Sequence, residues 1–220
     1  MTSTLLVAAL WFGQDAKPAP AAPTLEIVGE SGGAMAPVAR AMKEHFADAY
    51  PKLVQRFGSA ERPAPTKVTL KFDPNLKIPG LCKGNEVSVS TAWLEKHPED
   101  IGMLTHELTH AVQNYPPGAP GWLVEGIADY SRKVFGPKRQ PEWALPERLT
   151  VRNSYKESYR VAARFLEWLE QRNPGIVDKL HRRLQTGKHQ RQDFEEFAGK
   201  PLDALWDECV ARLSKPPAKS

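Results

Sequence analysis

His106-Glu107-Leu108-Thr109-His110 places two imidazoles four residues apart, with a carboxylate beside the first. Four residues is about one helical turn, so His106 and His110 stack on one face and can hold one cation between them. Glu107 sits ~100° further round, near enough to reach a water on an open metal position and poorly placed to ligate beside both histidines. A second segment, Trp122-Leu123-Val124-Glu125-Gly126-Ile127-Ala128-Asp129-Tyr130, carries two carboxylates four apart. Two neutral imidazoles and one carboxylate leave a fourth metal position vacant, which is the pattern of catalytic rather than structural zinc. The longer metal pattern that adds a Gly and a third His is absent, because Gln113 and Pro116 stand at those positions. Glu125 is then the favoured third ligand. Asp129 suits a supporting role, accepting the far ring N–H of a ligand histidine and fixing its tautomer. The plain alternative is a pair of solvated helices, and the apolar flanks Leu123, Val124, Ile127 and Ala128 argue against it.

Two helices must position these groups. Leu104, Leu108, Ala111 and Val112 recur at spacings of three and four, Pro98 suits a first turn, and Tyr115-Pro116-Pro117-Gly118 forces a stop. This predicts an amphipathic helix over about 98–114. Trp122 to Phe135 reads as a second helix, stopped by Gly136-Pro137. A short connection tends to make helices antiparallel neighbours, so Glu125 and Asp129 can both point back at the histidines. Gly126 removes a side chain where two helices would approach closely.

The remaining elements follow from periodicity. Strands are expected at Glu26–Val28, Lys67–Phe72 and Glu86–Ser90, with a turn-rich connector from Pro74 to Gly84. Helices are expected at Pro37–Phe57, about Thr91–Lys96, 154–172, about 174–185, about 190–198 and 201–213. The order is an α+β layout, an N-terminal mixed sheet and active-site helix followed by a helical C-terminal half.

Tyr155 and Tyr159 lie four apart on the first turns of the 154–172 helix. Either phenol could donate to the oxyanion of a tetrahedral intermediate, and core packing is the alternative for each. Ala162, Leu166 and Leu169 continue the face of Tyr159, which predicts a buried ring whose hydroxyl reaches the cleft. Tyr159 is therefore the candidate carried forward. Trp122, Trp143, Trp168 and Trp206 read as core or cleft wall. His45, His97, His181 and His189 have no partner spacing and read as surface groups.

Three runs carry a family resemblance: Gly102 to Tyr115 around the HExxH pattern, Gly121 to Tyr130 around EGxAD, and Ser154 to Leu169. Together they resemble the basic secretory protein family, zinc metallopeptidases of plants and bacteria, from about Ala36 to Leu213. The resemblance implies a single gluzincin-like, zincin-like domain over 24–215. It implies His106, His110 and Glu125 on Zn2+, with Glu107 as base. It also implies that strand Glu86–Ser90 edges the cleft, where an extended peptide could add as a further strand. An ordinary sheet edge is the alternative.

Bulk properties bound this picture. The chain has 220 residues, 41% hydrophobic and 25% charged, which suits one domain with a sizeable core. Leu5 to Phe12 is an apolar run too short to span a membrane. It matches the core of a signal peptide, although no Lys or Arg precedes it and no clean Ala-x-Ala site follows. A buried N-terminal element is the alternative. With the Ala/Pro-rich stretch Lys17–Pro23 it predicts a leader and linker over 1–23 and a secreted or periplasmic monomer with no stable membrane insertion. Cys82 and Cys209 could form one long-loop disulfide or remain two buried thiols. The net charge is +4 and the pI about 9.0. The basic residues scatter and no nucleic-acid motif is present, so nucleic acid is not an expected partner. A weak attraction to anionic polymers or acidic substrates remains open. The expected function is zinc-dependent hydrolysis of a peptide or protein substrate. The rival is a non-catalytic, zinc-stabilised secreted binding protein, cell-wall or glycan associated, against which an intact Glu107 argues.

Overall fold

In the computed structural model, which describes residues 22–157 and 159–214, one four-stranded sheet precedes a helical second half. Strand β1 (Thr24–Gly29) leads through helix α1 (Ala36–Phe57) to strand β2 (Lys67–Asp73), and the two strands pair in parallel with Thr24 opposite Lys67. Parallel neighbours need such a crossover. In β2, Val68, Leu70 and Phe72 turn inward at every second residue, as the period of a pleated strand requires. Helix α1 buries Met42, Phe46, Ala49, Leu53 and Phe57 at spacings of three and four.

The segment 74–84, expected as a connector alone, contains strand β3 (Gly80–Lys83). It runs antiparallel to strand β4 (Glu86–Ser90), with Cys82 opposite Val87. β4 is parallel to β2, and the order across the sheet is β1-β2-β4-β3. The sheet is thus mixed, as expected. β4 is an interior strand, with Val87, Ser88, Val89 and Ser90 all buried, so β3 takes the edge position the sequence reading gave to β4. Ser90 then caps the short helix α2 (Thr91–Leu94) by accepting the Trp93 N–H.

Helix α3 (Gly102–Gln113) starts four residues later than Pro98 suggests. Residues 97–101 instead make tight turns, with Asp100 N–H bonded to His97 O and Ile101 N–H to Glu99 O. The helix is buried all round, with only His110 partly exposed, because α1, helix α4 (Gly121–Phe135), β3 and β4 surround it. The expected apolar stripe is present, but the opposite face meets protein rather than water. Asn114, in the left-handed conformation at φ 39°, ends the helix before Pro116 and Pro117 forbid its continuation.

The helix expected at 154–172 is two elements, a 3-10 turn at Tyr155–Glu157 and helix α5 (Tyr159–Arg172). Glu157 accepts the Ser154 N–H and closes the first turn locally. Tyr159 then opens α5 with φ 49°. The close approach expected at Gly126 occurs against α5 rather than α3, since a Cβ on Gly126 would meet Ala162 Cβ at 2.8 Å. Helices α6 (Ile176–Gln185), α7 (Asp193–Ala198) and α8 (Leu202–Leu213) complete the chain, α7 shortened because Asp193 is spent closing a turn onto Gln190 N–H and His189. No described helix is long and apolar enough to cross a membrane. The expected leader lies outside the described residues. Cys82 and Cys209 are separate free thiols, and burial pushes each up to about 12.

The four histidines read as surface groups are not free. His45 meets the Thr105 hydroxyl, His97 meets Glu142, and His189 meets Asp193. His181 is wholly buried. Its Nε2–H donates to Phe57 O at 2.6 Å and its Nδ1 accepts from the Tyr115 hydroxyl at 2.8 Å. Burial lowers its pKa to about 4. An unfolded chain takes up this proton near pH 6.5, while the folded protein refuses it until near pH 4. His181 therefore contributes stability on the order of 3 kcal/mol that is fully present above about pH 6.5 and is lost as pH falls toward 4. Denaturant midpoints should fall across that window, and His181→Asn should flatten the fall. An equal slope in the variant would contradict this.

Candidate active site

His106 and His110 project from one side of α3 toward Glu125 on the first turns of α4. The His106 Nε2 lies 3.1 Å from His110 Nε2 and 3.1 Å from Glu125 Oε2, and His110 Nε2 lies 3.5 Å from the same oxygen. The three donor atoms form one cluster of metal-ligating type.

The far side of each ring fixes its tautomer. Asp129, only 4% exposed, has Oδ1 2.7 Å from His106 Nδ1. Gln113 Oε1 is 2.7 Å from His110 Nδ1, and Gln113 Nε2–H donates to Val124 O at 2.9 Å. The carbonyl end of Gln113 must therefore face the ring, so His110 Nδ1 carries the proton and its Nε2 presents a lone pair. A lone pair, a second imidazole nitrogen and a carboxylate converge on one point, and a positive charge belongs there. A proton can supply it. Burial alone would depress His106, but the hydrogen bonds to Asp129 and Glu125 raise its pKa to about 10. Burial alone would raise Glu125, and the two histidines instead hold it near 2. A zinc ion fits as well, because two bonds of ~2.0–2.1 Å at a tetrahedral angle span roughly 3.3 Å.

Glu107 stands apart from this cluster, as its angle on the helix predicts. It is 6% exposed, and burial raises its pKa above the ordinary carboxylate range while the two histidines pull against the rise. The carboxylate lies against Gly80 of β3, where a Cβ would come within 2.6 Å of Glu107 Oε1. The glycine thus leaves the space the carboxylate occupies.

The two tyrosines separate cleanly. Tyr155 is buried among Trp122, Phe165 and Trp206, its hydroxyl donating to Asp203 at 3.0 Å and accepting from Arg191 at 3.2 Å. It does not line the cleft. Tyr159 does, with its ring stacked 6.2 Å from that of His106. The buried position expected for Tyr159 is wrong: the side chain is 54% exposed. The left-handed backbone at its first residue turns it away from the packed face that Ala162, Leu166 and Leu169 occupy. The charge on Glu125 raises the Tyr159 pKa, followed by burial, which keeps the phenol a donor.

These groups line one cleft of about 1160 Å³. Ile78, Leu81, Pro116 and Pro117 contribute apolar wall, and Trp93, Arg132 and Trp143 contribute further wall. Gln113, Gly80 and the cleft arginines are the parts that the sequence reading missed. Gln113 had a signal, since it lies three residues after His110 on the same helix face.

The family model described as "Peptidase of plants and bacteria" matches residues 35–209, from the start of α1 into α8. The chain belongs to that family. The match encloses both helices of the cleft, Gly80 and Tyr159, and agrees with the resemblance to basic secretory proteins seen in the sequence. No curated protein and no solved structure matches the chain. The family is one of peptidases, which makes peptides the class of substrate.

Proposed function

We propose that the chain is a secreted zinc peptidase of zincin-like architecture. Its ligands are His106, His110 and Glu125, and its general base is Glu107. The observation that carries this reading is the convergence of the three ligand atoms within 3.5 Å, with the His110 tautomer fixed, beside a buried carboxylate outside the ligand set. The leader expected at the N-terminus motivates the secreted part.

A zinc ion held there supplies Lewis-acid polarisation of the scissile carbonyl and lowers the pKa of a water. The chain does the rest. Asp129 and Gln113 hold the two imidazoles in place through their Nδ1 atoms. Glu107 accepts a proton from the attacking water and delivers it to the leaving amine nitrogen. Its raised pKa suits both halves of that transfer. Tyr159 donates its phenolic hydrogen to the oxygen on which negative charge develops. Edge strand β3 lines the cleft and, among the described residues, pairs only with β4, so its other side can hold an extended substrate through main-chain hydrogen bonds.

Metal content tests the ligand set. The purified protein should hold about one zinc per chain, and a His106→Ala/His110→Ala double variant should hold none. Full zinc occupancy in the double variant would refute the site.

A further inference from the structure

Two guanidinium groups line the cleft, and they differ in what they touch. Arg132 is fixed in place. Its Nη2 donates to Asp100 at 2.6 Å, its Nε donates to Gln140 at 2.9 Å, and it lies 4.3 Å from the Trp143 ring centre. Arg160 is exposed, and it has no ion-pair partner among the described residues. Its own helix offers none, because Ala163 and Arg164 stand three and four residues on, and Arg164 pairs with Glu167. Among the acids of the cleft, Asp100 pairs with Arg132, Glu142 with His97, Asp129 with His106 and Glu125 with both histidines, while Glu99 lies 3.9 Å from His97 Nδ1 and Glu107 is buried against Gly80; none pairs with Arg160 among the described residues.

Arg160 is also close to the proposed chemistry. It follows Tyr159, whose ring stacks 6.2 Å from that of His106, and both residues line the cleft that holds His106, His110 and Glu125. A substrate lying in that cleft therefore meets the Arg160 guanidinium. A guanidinium presents a planar fork of donors that matches a carboxylate at two points, and hydrogen bonds between charged partners are the stronger kind.

We propose that Arg160 selects substrates that carry a carboxylate beside the bond to be cut, supplied by an acidic side chain or by the free C-terminus. The inference rests on the peptidase reading above and names the substrate class for that site.

Paired peptides test it. One set, blocked at both ends, differs only in Glu or Gln at positions flanking the cut. A second set has neutral side chains and differs only in a free or amidated C-terminus. The wild-type protein should cut the carboxylate member of one set about 10-fold or more faster in kcat/KM, and the set that responds distinguishes side chain from terminus. Arg160→Gln should bring that ratio close to one, and Arg160→Glu should invert it. Arg160→Lys should keep part of it, because a point charge retains attraction without the fork. Equal cutting within both sets, or a ratio that survives Arg160→Gln, would overturn the proposal.

Binding of the same peptides to Glu107→Gln, followed by calorimetry, reads the ratio without turnover. No hydrolysis by the wild type with the binding ratio intact would refute the peptidase reading and support Arg160. Equal binding of both members in both sets would refute Arg160 whether or not the protein cuts peptides.

Discussion

Glu107→Gln should keep its zinc and lose peptide hydrolysis by at least ~10²-fold. The substitution preserves length and helix propensity, and the amide fits the space left by Gly80, whose would-be Cβ lies 2.6 Å from the Glu107 oxygen. The three ligand atoms are untouched, since Glu107 lies outside the cluster of His106, His110 and Glu125. What disappears is the carboxylate proposed to take a proton from water and pass it to the leaving amine. Hydrolysis of a cleaved peptide, measured beside zinc content, separates the two effects. Unchanged turnover would mean that Glu107 is not the base. Loss of zinc along with turnover would mean that the residue acts on the metal site itself.

Glu125→Ala and Asp129→Ala should differ in kind. Glu125 Oε2 lies 3.1 Å from His106 Nε2 and 3.5 Å from His110 Nε2, on the side of the rings where a metal would sit. Removing it leaves two ligands, and most zinc should be lost. Asp129 touches only the far nitrogen of His106, at 2.7 Å. Removing it leaves three ligands but frees one ring to rotate and change tautomer, so zinc should bind ~10–100-fold more weakly. A zinc titration of both variants reads the order. If Asp129→Ala lost zinc more completely, the roles would reverse and the gluzincin analogy would be withdrawn.

Strict periodicity made some parts of the fold legible. Every-second-residue burial in β2 and the spacings of three and four in α1 follow from chain geometry alone, and the structure has both elements near their expected bounds. The juxtaposition of His106, His110 and Glu125 was legible for the same reason, since a single turn and a short Pro-Gly connector bring them together. Other parts depend on packing that periodicity does not encode. Gly80–Lys83 is four residues long with only partial burial, too short to show alternation, so the edge strand beside Glu107 was hidden in a connector. Tyr159 has the spacing of a core residue, but its φ of 49° sends the ring over the cleft. The two groups that meet the ring nitrogens of His181, Phe57 O and the Tyr115 hydroxyl, lie 124 and 66 residues away in sequence. Gln113 interrupts the longer metal motif in sequence, and its role emerges only from the fold, where its Oε1 lies 2.7 Å from His110 Nδ1 and its Nε2–H is held by Val124 O.

Zinc-dependent peptide hydrolysis is measured by digesting a broad peptide library with the zinc-loaded protein, then after chelation, then after zinc is restored. Cleavage should stop with the chelator and return at about one equivalent of zinc per chain. Cleavage that persists after complete zinc removal would contradict the role given to His106, His110 and Glu125. A zinc-loaded protein that cuts nothing in the library would contradict catalysis, and would favour a zinc-stabilised binding protein instead.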